Sequence, residues 1–98
     1  MIVEFHPAAS AEFDYYTDHY EGAVPDLGWR FVREVESASD LISNNPEIGQ
    51  EIEYGFRHFV LDDFPHSLIY SVEADRIWVV ALAHHKRRPG YWYQRVER

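Results

Sequence analysis

The sequence contains no cysteine, so a disulfide framework, a thiol nucleophile and a thiolate metal site are all excluded. Long apolar runs are also missing: no window approaches the roughly 18 consecutive apolar residues that a membrane helix needs. The N-terminal MIVEFHPAAS has no basic segment ahead of an apolar stretch, so it does not read as a leader. These features predict a soluble, cytoplasmic protein without a membrane partner. No serine sits in a Gly-x-Ser-x-Gly elbow, which leaves no sign of a serine nucleophile. Basic residues are scarce, 9 against 17 acidic, giving a net charge of −8 that on average repels phosphate.

What is present is a folded single domain. An apolar fraction of 46%, with 16% aromatic residues, is enough for one core in 98 residues, so residues 1–98 are expected to form one unit. The charge is unevenly placed. Residues 1–56 carry 12 acidic and 2 basic side chains, whereas residues 57–98 carry 5 acidic and 7 basic. The local field near residue 87 is therefore unlike the mean.

Periodicity gives the order of elements. Ile2, Val3 and Phe5 predict a short strand that His6-Pro7 ends, and Pro7 suits a first helical turn. Ala9, Phe13, Tyr16 and Tyr20 then share one helical face up to about Gly22. Pro25-Asp26 is expected to open a second helix, with Phe31, Val35, Ala38 and Ile42 as its apolar stripe and Asn44-Asn45-Pro46 as its stop. Short connections predict an antiparallel hairpin. Residues 46–55 read as a polar connection. After it the period becomes two: strands are predicted over 56–61 and 67–73, with Ala74-Asp75 at a hairpin tip. Residues 77–83, apolar on both faces, should be a central strand covered on each side. The fold class is α+β, in the order β-α-α-β-β-β, with the helical hairpin packed on a small antiparallel-dominated sheet.

The central strand runs into His84-His85-Lys86-Arg87-Arg88, closed by Pro89-Gly90-Tyr91-Trp92. A cationic cluster mounted on a rigid strand is a candidate site. The same charges can instead keep a sheet edge soluble. Neighbouring His84 and His85 should point to opposite faces, which argues against a shared metal ion, and no cofactor is expected. Arginine forks and neutral-pH imidazoles do suit an oxyanion. Asp62-Asp63 precedes Phe64-Pro65 and reads as turn chemistry. Arg57 reads as a site residue or as a partner of Asp62, Asp63 or a helix acid. Trp78 reads as core. Tyr15, Trp29 and Val32 lie beside the apolar stripes, where they either widen the core or line a groove.

Three features resemble the RelE/ParE superfamily of type II toxin–antitoxin toxins, the plasmid-stabilisation type. They are Arg57 at a strand start, the Asp-Phe-Pro passage from Asp63 to Tyr70, and above all Ala81 to Trp92, ALAHHKRRPGYW. The resemblance implies one of two targets: ribosome-bound messenger RNA, cut by an endonuclease, or DNA gyrase, which is inhibited. It also implies a cognate antitoxin that lays a helix in a groove and adds a strand at a sheet edge. For a nuclease, Arg87 and either Tyr91 or Tyr93 match the arginine and tyrosine that the resemblance implies, with His58 as the candidate base. Nucleases of the superfamily use lysines on the strand matching residues 56–61, where this chain has His58 and Val60. That difference, with the acidic first half, favours a gyrase inhibitor that grips its target through Arg57, His84, His85, Lys86, Arg87, Arg88, Tyr91 and Trp92. A member reduced to antitoxin binding alone is the third alternative.

Overall fold

Each helix start has a local chemical cause. In the computed structural model, which describes residues 1–96, β1 (Ile2–Phe5) leads into α1 (Pro7–Ala23). The His6 ring caps α1 by accepting the Ala8 N–H at 2.9 Å, and Pro7 occupies its first turn. The second helix, α2 (Leu27–Asn44), begins later than Pro25-Asp26 suggests, because Asp26 is left-handed with φ 71° and belongs to the turn. The cause lies in α1: the Glu21 carboxylate accepts the N–H groups of Asp26 at 3.0 Å and Gly28 at 3.1 Å. Gly28 permits that approach, since a Cβ there would stand 2.5 Å from the Thr17 carbonyl oxygen.

The strands β2 (Gln50–Glu51), β3 (Arg57–Val60), β4 (His66–Val72) and β5 (Arg76–His84) follow, and the sheet runs β1-β5-β4-β3-β2. β1 pairs with β5 in parallel and every other pair is antiparallel. β2 lies inside the expected polar connection. It has no alternating pattern to betray it, and tertiary bonds hold its approach: the Tyr70 hydroxyl donates to the Pro46 carbonyl at 2.7 Å and accepts the Gly49 N–H at 2.9 Å.

The sheet is covered on both faces, as the two-sided run at 77–83 implies. On one face Phe31, Val35, Ala38 and Ile42 of α2 pack with Ala9, Leu68, Tyr70, Ile77, Val79 and Leu82, all buried. On the other, Phe56, Ile69, Val80 and Ala81 pack with Trp92 of the C-terminal segment. Trp78 lies on this second face, half-buried between the His6 ring and the Arg76 guanidinium, at 5.6 and 5.0 Å.

A β-bulge decides what the end of β5 presents. Ile69 pairs with Ala81 but Tyr70 pairs with Val79, so Val80 is an extra residue. Before it, Ile77 and Val79 face the helices; after it, Leu82 and His84 do. Unbroken alternation from Ile77 would turn His85 towards α1 in place of His84.

Candidate functional site at the end of the central strand

β1 stops pairing where the His6 N–H meets the Val79 carbonyl at 2.8 Å. Beyond that point the Val80 carbonyl and the Leu82 N–H need partners from elsewhere. Side chains supply them. Glu12 of α1 accepts the Leu82 N–H at 3.0 Å, and Arg95, in a 3₁₀ turn at Tyr93–Arg95, donates to the Val80 carbonyl at 2.9 Å. Glu12 and Arg95 also bind each other through two contacts of 2.9 Å, and Glu12 accepts the Tyr91 hydroxyl at 2.7 Å. Burial alone would raise the Glu12 carboxyl, but hydrogen bonds from Arg95, Tyr91 and Leu82 outweigh it and hold the group below its ordinary value. For Tyr91, burial and the Glu12 carboxylate act together and push its hydroxyl well above the usual range. It stays a phenol at every physiological pH.

This network fixes a platform. The Arg87 guanidinium lies 4.0 Å from the centre of the Tyr91 ring, a cation–π contact. His84, Lys86, Arg87 and Arg88 form the rim of the turn that follows β5, closed by the Arg87 N–H to the His84 carbonyl at 2.9 Å. Gly90, with φ 77°, reverses the chain beneath the Tyr93 ring, which a Cβ would meet at 2.5 Å. Lys86, Arg87 and Arg88 are exposed, and among the described residues no carboxylate forms an ion pair with any of them.

Histidines and tyrosines fill the floor between the platform and α1. His66 is fully buried, with Nε2 2.9 Å from the Tyr20 hydroxyl, its ring 4.5 Å from Tyr16 and 5.0 Å from His84. Burial, with smaller contributions from His84 and His85, lowers His66 to about 4, so it is neutral at physiological pH. His84 accepts the Lys86 N–H on Nδ1 at 3.0 Å and packs against Tyr16. His85 points to the other face, where its Nε2 lies 3.0 Å from the Ser67 hydroxyl.

The structure therefore gathers Arg87, Tyr91, His84 and Lys86, with Arg88 beside them, and disperses the rest of the expected set. Trp92, expected on the exposed patch, is only 2% exposed and packs on Phe56 at 4.9 Å, because the 3₁₀ turn rotates it into the second core. Tyr93 turns away to donate to Glu53, and that carboxylate pushes its hydroxyl up to about 12. His58 lies two strands from β5 and pairs with Gln50 at 3.2 Å. Arg57 meets neither Asp62 nor Asp63; it donates to the Gly49 carbonyl at 2.8 Å and the Glu47 carbonyl at 3.4 Å, anchoring the loop before β2. Tyr15 and Trp29 do not widen the core, being 63% and 62% exposed, while Val32 is half-buried. Glu12, Arg95 and His66 were absent from the expected set. The one signal in the sequence was Glu12 itself, an acid between Ala9 and Tyr16 on the apolar face of α1.

A family model described as ParE toxin of type II toxin-antitoxin system, parDE, matches residues 3–89. Among solved structures, a chain from the chromosomal ParDE toxin–antitoxin system of P. aeruginosa aligns with a TM-score of 0.76 over 86% of this chain and 95% of its own, at 22% identity. At that identity the likeness is one of fold. No curated protein matches the chain. With the family model spanning nearly all of β1 to the Arg87 turn, the chain belongs to the ParE toxin family of type II toxin–antitoxin systems.

Proposed function

We propose that this protein is a gyrase-directed toxin that acts by binding, and that a cognate antitoxin neutralises it. The observation that supports binding over bond chemistry is the state of Tyr91. Its ring carries Arg87, while the one proton of its hydroxyl is donated to the Glu12 carboxylate. A proton donor for RNA cleavage must release and regain its proton at the reacting oxygen. Tyr91 is spent on support instead, and His58 lies two strands from β5. The remaining groups, Arg87, Arg88 and Lys86, are exposed cations suited to gripping a target surface.

The antitoxin is expected to use the outer face of the helical hairpin and a sheet edge. Trp29 and Leu41 of α2, 62% and 50% exposed, offer apolar anchors for an amphipathic helix. β1 and β2 end the sheet, and each can accept an added strand. Acidic residues of the same partner are expected to meet Arg87 or Arg88.

The test pairs two assays on purified protein. Inhibition of gyrase-catalysed supercoiling, with ribosome-bound message left intact, is the expected result. Unimpaired supercoiling together with cleavage of the message would replace this function with that of an endonuclease. Activity in neither assay, and no growth arrest on expression without antitoxin, would leave an antitoxin-binding module.

A further inference from the structure

An aromatic ledge on α1 continues the cationic platform. Tyr15 is 63% exposed, and its ring lies parallel to that of His19, also exposed, at an interplanar angle of 9° and 6.2 Å between centres. Tyr15 meets Tyr16 edge-on at 5.0 Å, and Tyr16 in turn lies against His84 at 5.8 Å. The ledge and the platform are within each other's field: burial raises the Tyr16 hydroxyl while the charge of Arg87 opposes that rise. Burial lowers His84, and Lys86, His85 and His19 lower it further. One surface therefore runs from Tyr15 and His19, over Tyr16 and His84, to Lys86 and Arg87.

The composition of this surface selects its ligand. Exposed cations alone suit any anion, an acidic peptide included. Flat π-faces set beside them suit a polyanion whose units also carry flat rings, because a base can stack on tyrosine or imidazole while its phosphate meets a guanidinium. Asp14 and Asp18 of α1 lie about 100° and about 60° round the helix from Tyr15, on the side of the α2 contact at Thr17 and Glu21. They border the ledge on the side away from Tyr16 and His84. We propose that the surface from the Tyr15–His19 ledge to Arg87 binds a single-stranded DNA segment, with a base on the ledge and adjacent phosphates on Arg87 and Lys86. The choice of DNA rests on the gyrase reading, since that enzyme's substrate is DNA. The surface would then contact the strand as well as the enzyme.

The experiment is fluorescence anisotropy of a labelled mixed-sequence 12-mer, titrated with the full chain at low salt. Expected is saturable binding that weakens as salt rises, with Arg87→Glu and Tyr15→Ala each weakening it about tenfold and Tyr15→Phe retaining it. Tyr15 is largely exposed, so its variants should fold, and a circular-dichroism melt checks that they do. No saturable binding by folded protein overturns the proposal, and so does binding indifferent to Tyr15→Ala. RNA of the same sequence binding more tightly overturns the DNA assignment, and a glutamate-rich peptide of equal charge competing as well as the oligonucleotide overturns base stacking. Gyrase assays on the same preparations keep the two readings apart. Supercoiling blocked without oligonucleotide binding removes this inference alone; oligonucleotide bound without any effect on supercoiling removes the gyrase reading alone.

Discussion

Glu12 and Arg95, 83 positions apart, form a two-point ion pair that fastens the C-terminal turn to the first helix. Both side chains are largely buried, at 12% and 17% exposure. The pair also completes the backbone bonding of β5 at Val80 and Leu82. Breaking it by Glu12→Ala would leave a largely buried guanidinium with no carboxylate and only the Val80 carbonyl to bond, and the Leu82 N–H without its partner. The expected loss is about 3–5 kcal/mol, read by urea unfolding at neutral pH. A loss below about 1 kcal/mol would mean that the C-terminal turn is not held there.

The same carboxylate sets an acid limit. Its folded value lies below its ordinary 4.5, so its contribution is complete above that pH and is lost as pH falls through the folded value. Stability of the wild type should therefore decline below about pH 4.5 more steeply than that of Glu12→Gln, whose side chain does not titrate. Parallel slopes in the two proteins would contradict the assignment.

His66 acts in a higher window. Burial holds its folded value near 4 against an ordinary 6.5, so the unfolded chain takes up its proton first. Stability is full above pH 6.5 and falls progressively towards pH 4, by up to about 3 kcal/mol. His66→Phe removes the titrating group and should flatten that interval in denaturant titrations at pH 7 and pH 4.5. The substitution also frees the Tyr20 hydroxyl, so the slope between the two pH values is the readout, not the absolute stability.

Two glycines should respond in opposite directions. Gly28→Ala places a Cβ 2.5 Å from the Thr17 carbonyl, backbone that cannot move aside, and should cost about 1–3 kcal/mol. Gly22→Ala, with nothing within 4 Å and a helical setting in α1, should gain about 0.5–1 kcal/mol. Thermal melts of the two variants decide the matter, and equal shifts would show that the helix crossing is looser than described.

The sequence made legible what repeats locally. The stripe Phe31, Val35, Ala38 and Ile42 is buried to the last residue, and the two-faced run of 77–83 is indeed covered on both sides. The cationic turn after β5, and Gly90 within it, follow from short-range chemistry. What stayed hidden depends on distant partners. Asp26 leaves the helix because Glu21 reaches back to it, and β2 forms because Tyr70 and Arg57 hold the preceding loop. Trp92 is indistinguishable from Tyr91 as an aromatic after a turn; only the 3₁₀ path separates the buried ring from the platform. The bulge at Val80, which aims His84 at α1, has no sequence mark in a run of uniformly apolar residues.

The central claim is that Arg87, carried on the Tyr91 ring, grips the target while the Tyr91 hydroxyl does no chemistry. The most direct measurement is the concentration that half-inhibits gyrase supercoiling, compared for wild type, Arg87→Glu and Tyr91→Phe. Arg87→Glu should need at least about tenfold more protein. Tyr91→Phe, which keeps the ring and loses only the bond to Glu12, should stay within about threefold of wild type. Wild-type potency in Arg87→Glu, or abolished activity in a folded Tyr91→Phe, would contradict the account.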